Sequence, residues 1–299
     1  MDTKIDKEGA DVSVRAGASA PAGKALIACA LALAAYFLTA FIGRGVSTLL
    51  FGPDCNIYLK SLSGAVPRMI LAVCIIVFFM KKKGILTGRG NGFLGGLFTG
   101  GYFIFGAVIN VVVKLFVTTG ADGVSRFAMP TGLHFGTEQI LLILTLLVTA
   151  GVCEELIFRG IILNALRDWF GRNSFRGTLA AIILSSILFG SIHFTNLSIG
   201  MSFKGVLLQA ITAVSIGIYL GAIYCRWGNI KLMIFLHALM DICALLPDSL
   251  LTNAQLSESI ENITANYTQL LTAAIYLAVA IFLMRKSKRK QMFTYSVEE

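Results

Sequence analysis

Long apolar runs alternate with short polar segments from about residue 25 to residue 284. Eight runs stand out, at roughly 25–43, 62–80, 93–117, 139–166, 178–194, 205–225, 231–250 and 268–284. Each is near the ~20 residues that an α-helix needs to cross a hydrocarbon core. The pattern predicts an all-α, polytopic membrane protein of about eight transmembrane helices. The run at 62–80 is the weakest, because Pro67 and Arg68 interrupt it. The first run is long, and no small-x-small cleavage site follows it, so it reads as a retained helix and not a signal peptide. Gly96 with Gly100, and Gly217 with Gly221, form GxxxG pairs that predict close helix packing. Residues 1–24 are polar and rich in small residues, and read as a disordered cytoplasmic tail. The membrane domain is expected at 25–284 and a basic cytoplasmic tail at 285–299.

Composition agrees. The chain has 299 residues, 56% of them hydrophobic and 14% charged, which is too apolar for a soluble domain. Five of the six cysteines lie in apolar runs and read as small buried hydrophobes, not as a disulfide framework. A net charge of +9 could suggest nucleic acid, but the basic residues cluster between apolar runs, which is a topology signal. Eighteen Lys and Arg fall in the two termini and the even-numbered loops, six in or beside the alternate segments, and Arg159 is left over. The positive-inside rule then predicts that both termini are cytoplasmic. The expected location is a bacterial plasma membrane, or the endoplasmic reticulum in a eukaryote. Membrane lipids are expected partners and nucleic acid is not.

The stretch "GVCEELIFRG" puts Glu154, Glu155 and Arg159 inside the fourth run. An ionised residue at a helix centre costs roughly 2.5–3.5 kcal/mol on the insertion scale, so such groups are paired, wet or functional. Glu155 and Arg159 are four apart with the acid first, the favourable order for an intrahelical ion pair. Glu154 has no partner on its own helix, which suits a general acid or base, although a purely structural ion network fits these three residues equally well. Of three histidines, His134 lies on an outer loop, whereas His193 and His237 lie in apolar spans. His237 and Asp241 share a helix face, so Asp241 could orient the imidazole. Two intramembrane histidines and a Glu pair on three separate spans favour a catalytic reading.

These residues resemble a known family. "EExxxR" (Glu154, Glu155, Arg159), "FxxxH" (Phe189, His193) and "HxxxN/D" (His237, Asp241) occur in the order and rough spacing of the CPBP intramembrane proteases. That family includes the type II CAAX prenyl proteases and bacterial Abi-type proteins. The motifs cover about residues 150–245. The resemblance implies an intramembrane endopeptidase acting on a CAAX-type or bacterial precursor peptide, lipidated or not. It implies that Glu154 activates a water, that His193 and His237 orient it and stabilise the oxyanion, and that Glu155 with Arg159 holds the base in place. Asp241 stands where many members carry Asn. An ionised Asp cannot donate to an oxyanion, which leaves it the role of orienting a histidine or of donating while protonated.

Glu plus two His is also a zinc ligand set, so Glu154, His193 and His237 are the ligands if a metal is used. No "HExxH" occurs. Metal-free catalysis is preferred because it leaves Glu154 free as the base, with no cofactor required. Two other functions fit intramembrane charges: a non-catalytic adaptor or regulator of the same family, and an ion-coupled transporter. A transporter predicts inverted repeats, and no internal repeat is visible. Span boundaries put His193 about 22 Å, but His237 only about 9 Å, from the basic side at 1.5 Å per residue. For Glu154 and the two histidines to converge, as expected, one of these depths must differ.

Overall fold

All eight apolar runs become helical. The computed structural model describes residues 21–88, 90–119, 123–252 and 256–292. Among the described residues, six helices are long and apolar enough to span a membrane alone: α1 (Ala22–Phe51), α2 (Ile57–Phe79), α5 (Thr137–Phe170), α6 (Phe175–Ile199), α7 (Phe203–Trp227) and α8 (Ile230–Thr252). Between α2 and α5, α3 (Gly90–Gly100) and α4 (Tyr102–Phe116) form a bent pair. At the end of the bundle, α9 (Leu256–Thr264) meets α10 (Thr268–Leu283) at 78°. Each bent pair can count as one span, giving up to eight. The protein is thus a polytopic, all-α integral membrane protein, with one two-stranded antiparallel hairpin, Val117–Thr119 with Ser125–Phe127, after α4.

Local sequence explains the ends. Asn56 accepts from the Tyr58 amide, Ser174 from the Gly177 amide and Ser202 from the Gly205 amide, capping α2, α6 and α7. Gly228 closes α7 in the left-handed conformation that glycine adopts without strain. Pro67 does not end α2, which continues through Phe79. One boundary differs from the sequence reading. Ala22 to Lys24 belong to α1, and the rest of the expected N-terminal tail lies outside the described residues. The basic C-terminal segment begins with a docked 3-10 turn, Lys286–Met292, whose Met292 carbonyl accepts from Arg167 at 2.8 Å. Residues 293–299 lie outside the described residues.

The bundle packs as a membrane protein must, through small residues inside and apolar ones outside. Phe41, Leu49, Phe98 and Phe105 point outward, where lipid would cover them. Lipid offers no hydrophobic drive between helices, so close van der Waals fit replaces it. Both GxxxG pairs serve this. A Cβ on Gly217 would lie 2.8 Å from Ser186 Cβ, one on Gly221 would lie 3.2 Å from Ile182, and one on Gly100 would lie 2.9 Å from the Tyr219 hydroxyl. Gly217→Val should therefore force α6 from α7 and cost about 1–3 kcal/mol. Its melting temperature in detergent should fall, and an unchanged value would remove the packing argument.

At one end of the bundle, Asp168 binds Lys82 at 2.5 Å and Arg172 at 2.7 Å. Burial, with Arg172 nearby, holds the Lys82 ammonium below the ordinary lysine value, while Asp168 opposes this. This end carries the loops rich in Lys and Arg. The opposite end carries residues 52–56, 117–119, 123–136 and 200–202.

Candidate active site

The fourth apolar run is not a regular α-helix where it matters. Leu146–Glu154 and Leu156–Leu163 are π-helical within α5. Such widened turns recur at functional sites, because they re-aim side chains within an otherwise satisfied backbone. Gly151 lets α5 approach α8 closely, since a Cβ there would lie 2.9 Å from Ala238 Cβ.

The two adjacent carboxylates face different worlds. Glu155 is 0% exposed, and its Oε1 accepts from Arg159 at 2.6 Å and from His237 Nδ1–H at 2.7 Å. Arg159 is 2% exposed and lies over the Phe189 ring at 4.7 Å. A buried acid, a buried guanidinium and an imidazole thus share one oxygen across α5 and α8. A pair so desolvated is tolerable only with such mutual bonding. Glu155 Oε2 and one Arg159 terminal nitrogen have no protein partner among the described residues.

Glu154 points instead into a cavity of about 1520 Å³. Its Oε1 accepts from the Tyr36 hydroxyl, on α1, at 3.4 Å. The same cavity is lined by His193, His237 and Asp241. The Phe189 ring meets both imidazoles edge-on, with centroids 5.4 Å from His193 and 5.6 Å from His237. No protein group among the described residues hydrogen-bonds the His193 imidazole. All six sequence-predicted residues are therefore brought together: Glu154, His193, His237 and Asp241 on the cavity wall, Glu155 and Arg159 behind it.

Two details differ from the sequence reading. The group that orients His237 is Glu155, not Asp241, whose Oδ2 is 3.8 Å from His237 Nε2 and too far for a hydrogen bond. The depths also differ. His193 and His237 lie at one level, although α6 starts eighteen residues before one and α8 seven before the other. The α5–α6 hairpin thus reaches on the order of 16 Å further toward the basic end.

As for a metal, among the described residues no three His, Cys, Asp or Glu side chains are grouped to hold one. Glu154, His193 and His237 share a cavity without forming a ligand set, so they do not fit a bound zinc as they stand.

Sequence reasoning missed Tyr36 and Arg68. Arg68, on α2, lies over the Tyr36 ring at 4.1 Å and donates from Nε to Thr39 at 3.1 Å. It was legible by the rule that flagged Glu154, a charge within an apolar run. Tyr36 had no signal, because an aromatic in a lipid-facing helix looks the same.

Residues 136–243 match the family model described as type II CAAX prenyl endopeptidase, Rce1-like. The match begins at α5 and ends in α8, so it covers about a third of the chain and spans the EExxxR, FxxxH and HxxxD residues. A search of curated proteins finds no match.

Proposed function

We propose that this multi-pass membrane protein with an Rce1-like domain is an intramembrane endopeptidase whose general base is Glu154. The supporting observation is the division of labour between neighbours: Glu155 is consumed by Arg159 and His237, whereas Glu154 faces the cavity beside both histidines. Glu154 takes a proton from water as the water oxygen attacks the peptide carbonyl carbon. The C–N bond then breaks, and the same proton passes from Glu154 to the leaving amine. His193, free of protein partners, donates to the developing oxyanion. His237, fixed by Glu155, presents Nε2 near Asp241 and positions the water. This reading needs no metal, because it leaves Glu154 free to act as the base. The substrate is a peptide, of CAAX type or a bacterial precursor.

The same reading extends to topology. The cavity is lined by the outer halves of the helices, Tyr36 to Thr48 of α1, Ile57 to Arg68 of α2 and His237 to Asp248 of α8. These are the halves remote from the Lys- and Arg-rich loops. With both termini cytoplasmic, the mouth opens on the other face of the membrane. In a Cys55→Ser background in bacterial cells, Ser257→Cys should react with an impermeant maleimide, and Lys288→Cys only after permeabilisation. The reverse pattern would turn the mouth to the cytoplasm.

Activity tests the mechanism. Glu154→Gln and His193→Ala, beside wild type, should lose peptide processing at normal abundance. Retained phenotype in both variants would instead mark an adaptor, and dependence on an ion gradient a transporter.

A further inference from the structure

Arg68 is the cavity's unexplained charge. It is 7% exposed and lies in the middle of a membrane-spanning helix, yet no acidic side chain among the described residues lies within ion-pair distance of it. Its described polar contact is the bond from Nε to Thr39 Oγ1, and its guanidinium face rests on Tyr36. That leaves the two terminal nitrogens, on a residue that lines the cavity. Glu154 lies nearby, across the Tyr36 side chain, but does not bond it. A buried cation without a bonded anion is expensive in a membrane protein, and such residues mark a ligand or a pathway. The other buried cation near the site, Arg159, has its acid. Arg44, Lys60 and Lys114 also line the cavity; Lys60 and Lys114 donate to backbone carbonyls, and none of the three is buried.

The guanidinium is also held. Thr39 takes Nε, and the stacked Tyr36 ring fixes the plane, so the free edge is presented as a fork. A planar fork matches a carboxylate in two parallel bonds, which an ammonium cannot do. Tyr36 touches both groups: its ring carries Arg68 and its hydroxyl donates to Glu154. The fork and the proposed base are thus separated by one tyrosine side chain. An anion bound at Arg68 lies a few residues of extended peptide from a carbonyl at Glu154.

We propose that Arg68 is the receptor for the free C-terminal carboxylate of the peptide substrate, held so that a bond near that end meets Glu154. This rests on the endopeptidase reading above. Arg68 is then a specificity residue, contributed by α2 from outside the matched residues 136–243.

The test uses two forms of one dye-labelled farnesylated pentapeptide, with a free C-terminal acid or a C-terminal amide, and the full-length protein in detergent. The readout is the acid-to-amide ratio of kcat/KM. Losing a charge-assisted pair at a desolvated site should give wild type a ratio of about 10². Arg68→Gln should bring it near one, and Arg68→Lys should leave an intermediate value. Arg44→Gln, on the same wall but exposed, should keep the wild-type ratio. Anisotropy of the same peptides on Glu154→Gln protein should give the same preference in Kd, so the proposal stands or falls without turnover. A wild type with no acid preference in cutting or binding overturns it, as does an Arg68→Gln protein that keeps the preference. Cleavage surviving in Glu154→Gln would sink the base assignment while leaving the ratio at Arg68 to be read separately.

Discussion

Glu154→Gln should reduce peptide cleavage by about 10²–10⁴-fold, the range for removal of a positioned general base. The amide has the volume of the acid, and its oxygen can still accept from Tyr36 at the same site. No ion pair is broken, since Glu154 makes none among the described residues, and Arg68 nearby is held by Thr39 and the Tyr36 ring. Stability should therefore change by less than about 1 kcal/mol, and abundance should match wild type. The measurement is single-turnover cleavage by purified protein with its melting temperature recorded in parallel. A normal rate in a well-folded sample would end the enzymatic reading. A metal-dependent enzyme would respond differently, with wild-type activity lost on thorough chelation and restored by zinc.

The fold and the six residues that gather around the cavity were legible in the sequence, while their contacts and Tyr36 were not, and the division has physical reasons. Helices were legible because crossing a bilayer imposes a length and an apolarity that no turn pattern hides. Glu154, Glu155 and Arg159 were legible because charge in lipid demands explanation, and the i, i+4 pair obeyed its spacing at 2.6 Å. The bond from His237 to Glu155 was not legible. It joins α8 to α5 across 82 residues of sequence, and nearby Asp241 offered a plausible partner on the same helix face. Arg68 was seen but read as an interruption, because Pro67 beside it suggested a broken span. The π-helical turns of α5 leave no mark on composition, so a regular 3.6-residue spacing was assumed through Glu154.

Glu155→Ala should fail in a different way, as a folding defect. Glu155 Oε1 is the described polar partner of both the Arg159 guanidinium and His237 Nδ1. Removing it leaves a guanidinium at 2% exposure uncompensated, and breaking a buried pair from one side costs about 3–5 kcal/mol. Native domains have only roughly 5–15 kcal/mol in total, so abundance should drop several-fold. Heating in the presence of a thiol dye reads this directly, because Cys153 and Cys225 are buried and free. The dye should react at a lower temperature in the variant. The paired replacement Glu155→Met with Arg159→Met separates the two roles. It removes both charges and fills their volume, so stability should return toward wild type. Cleavage should not return, because His237 has lost the group that turns its ring toward the cavity. Recovery of both stability and full cleavage would mean that the trio only braces α5 against α8. Recovery of stability alone would give Glu155 its place in the mechanism, behind the wall that Glu154 faces.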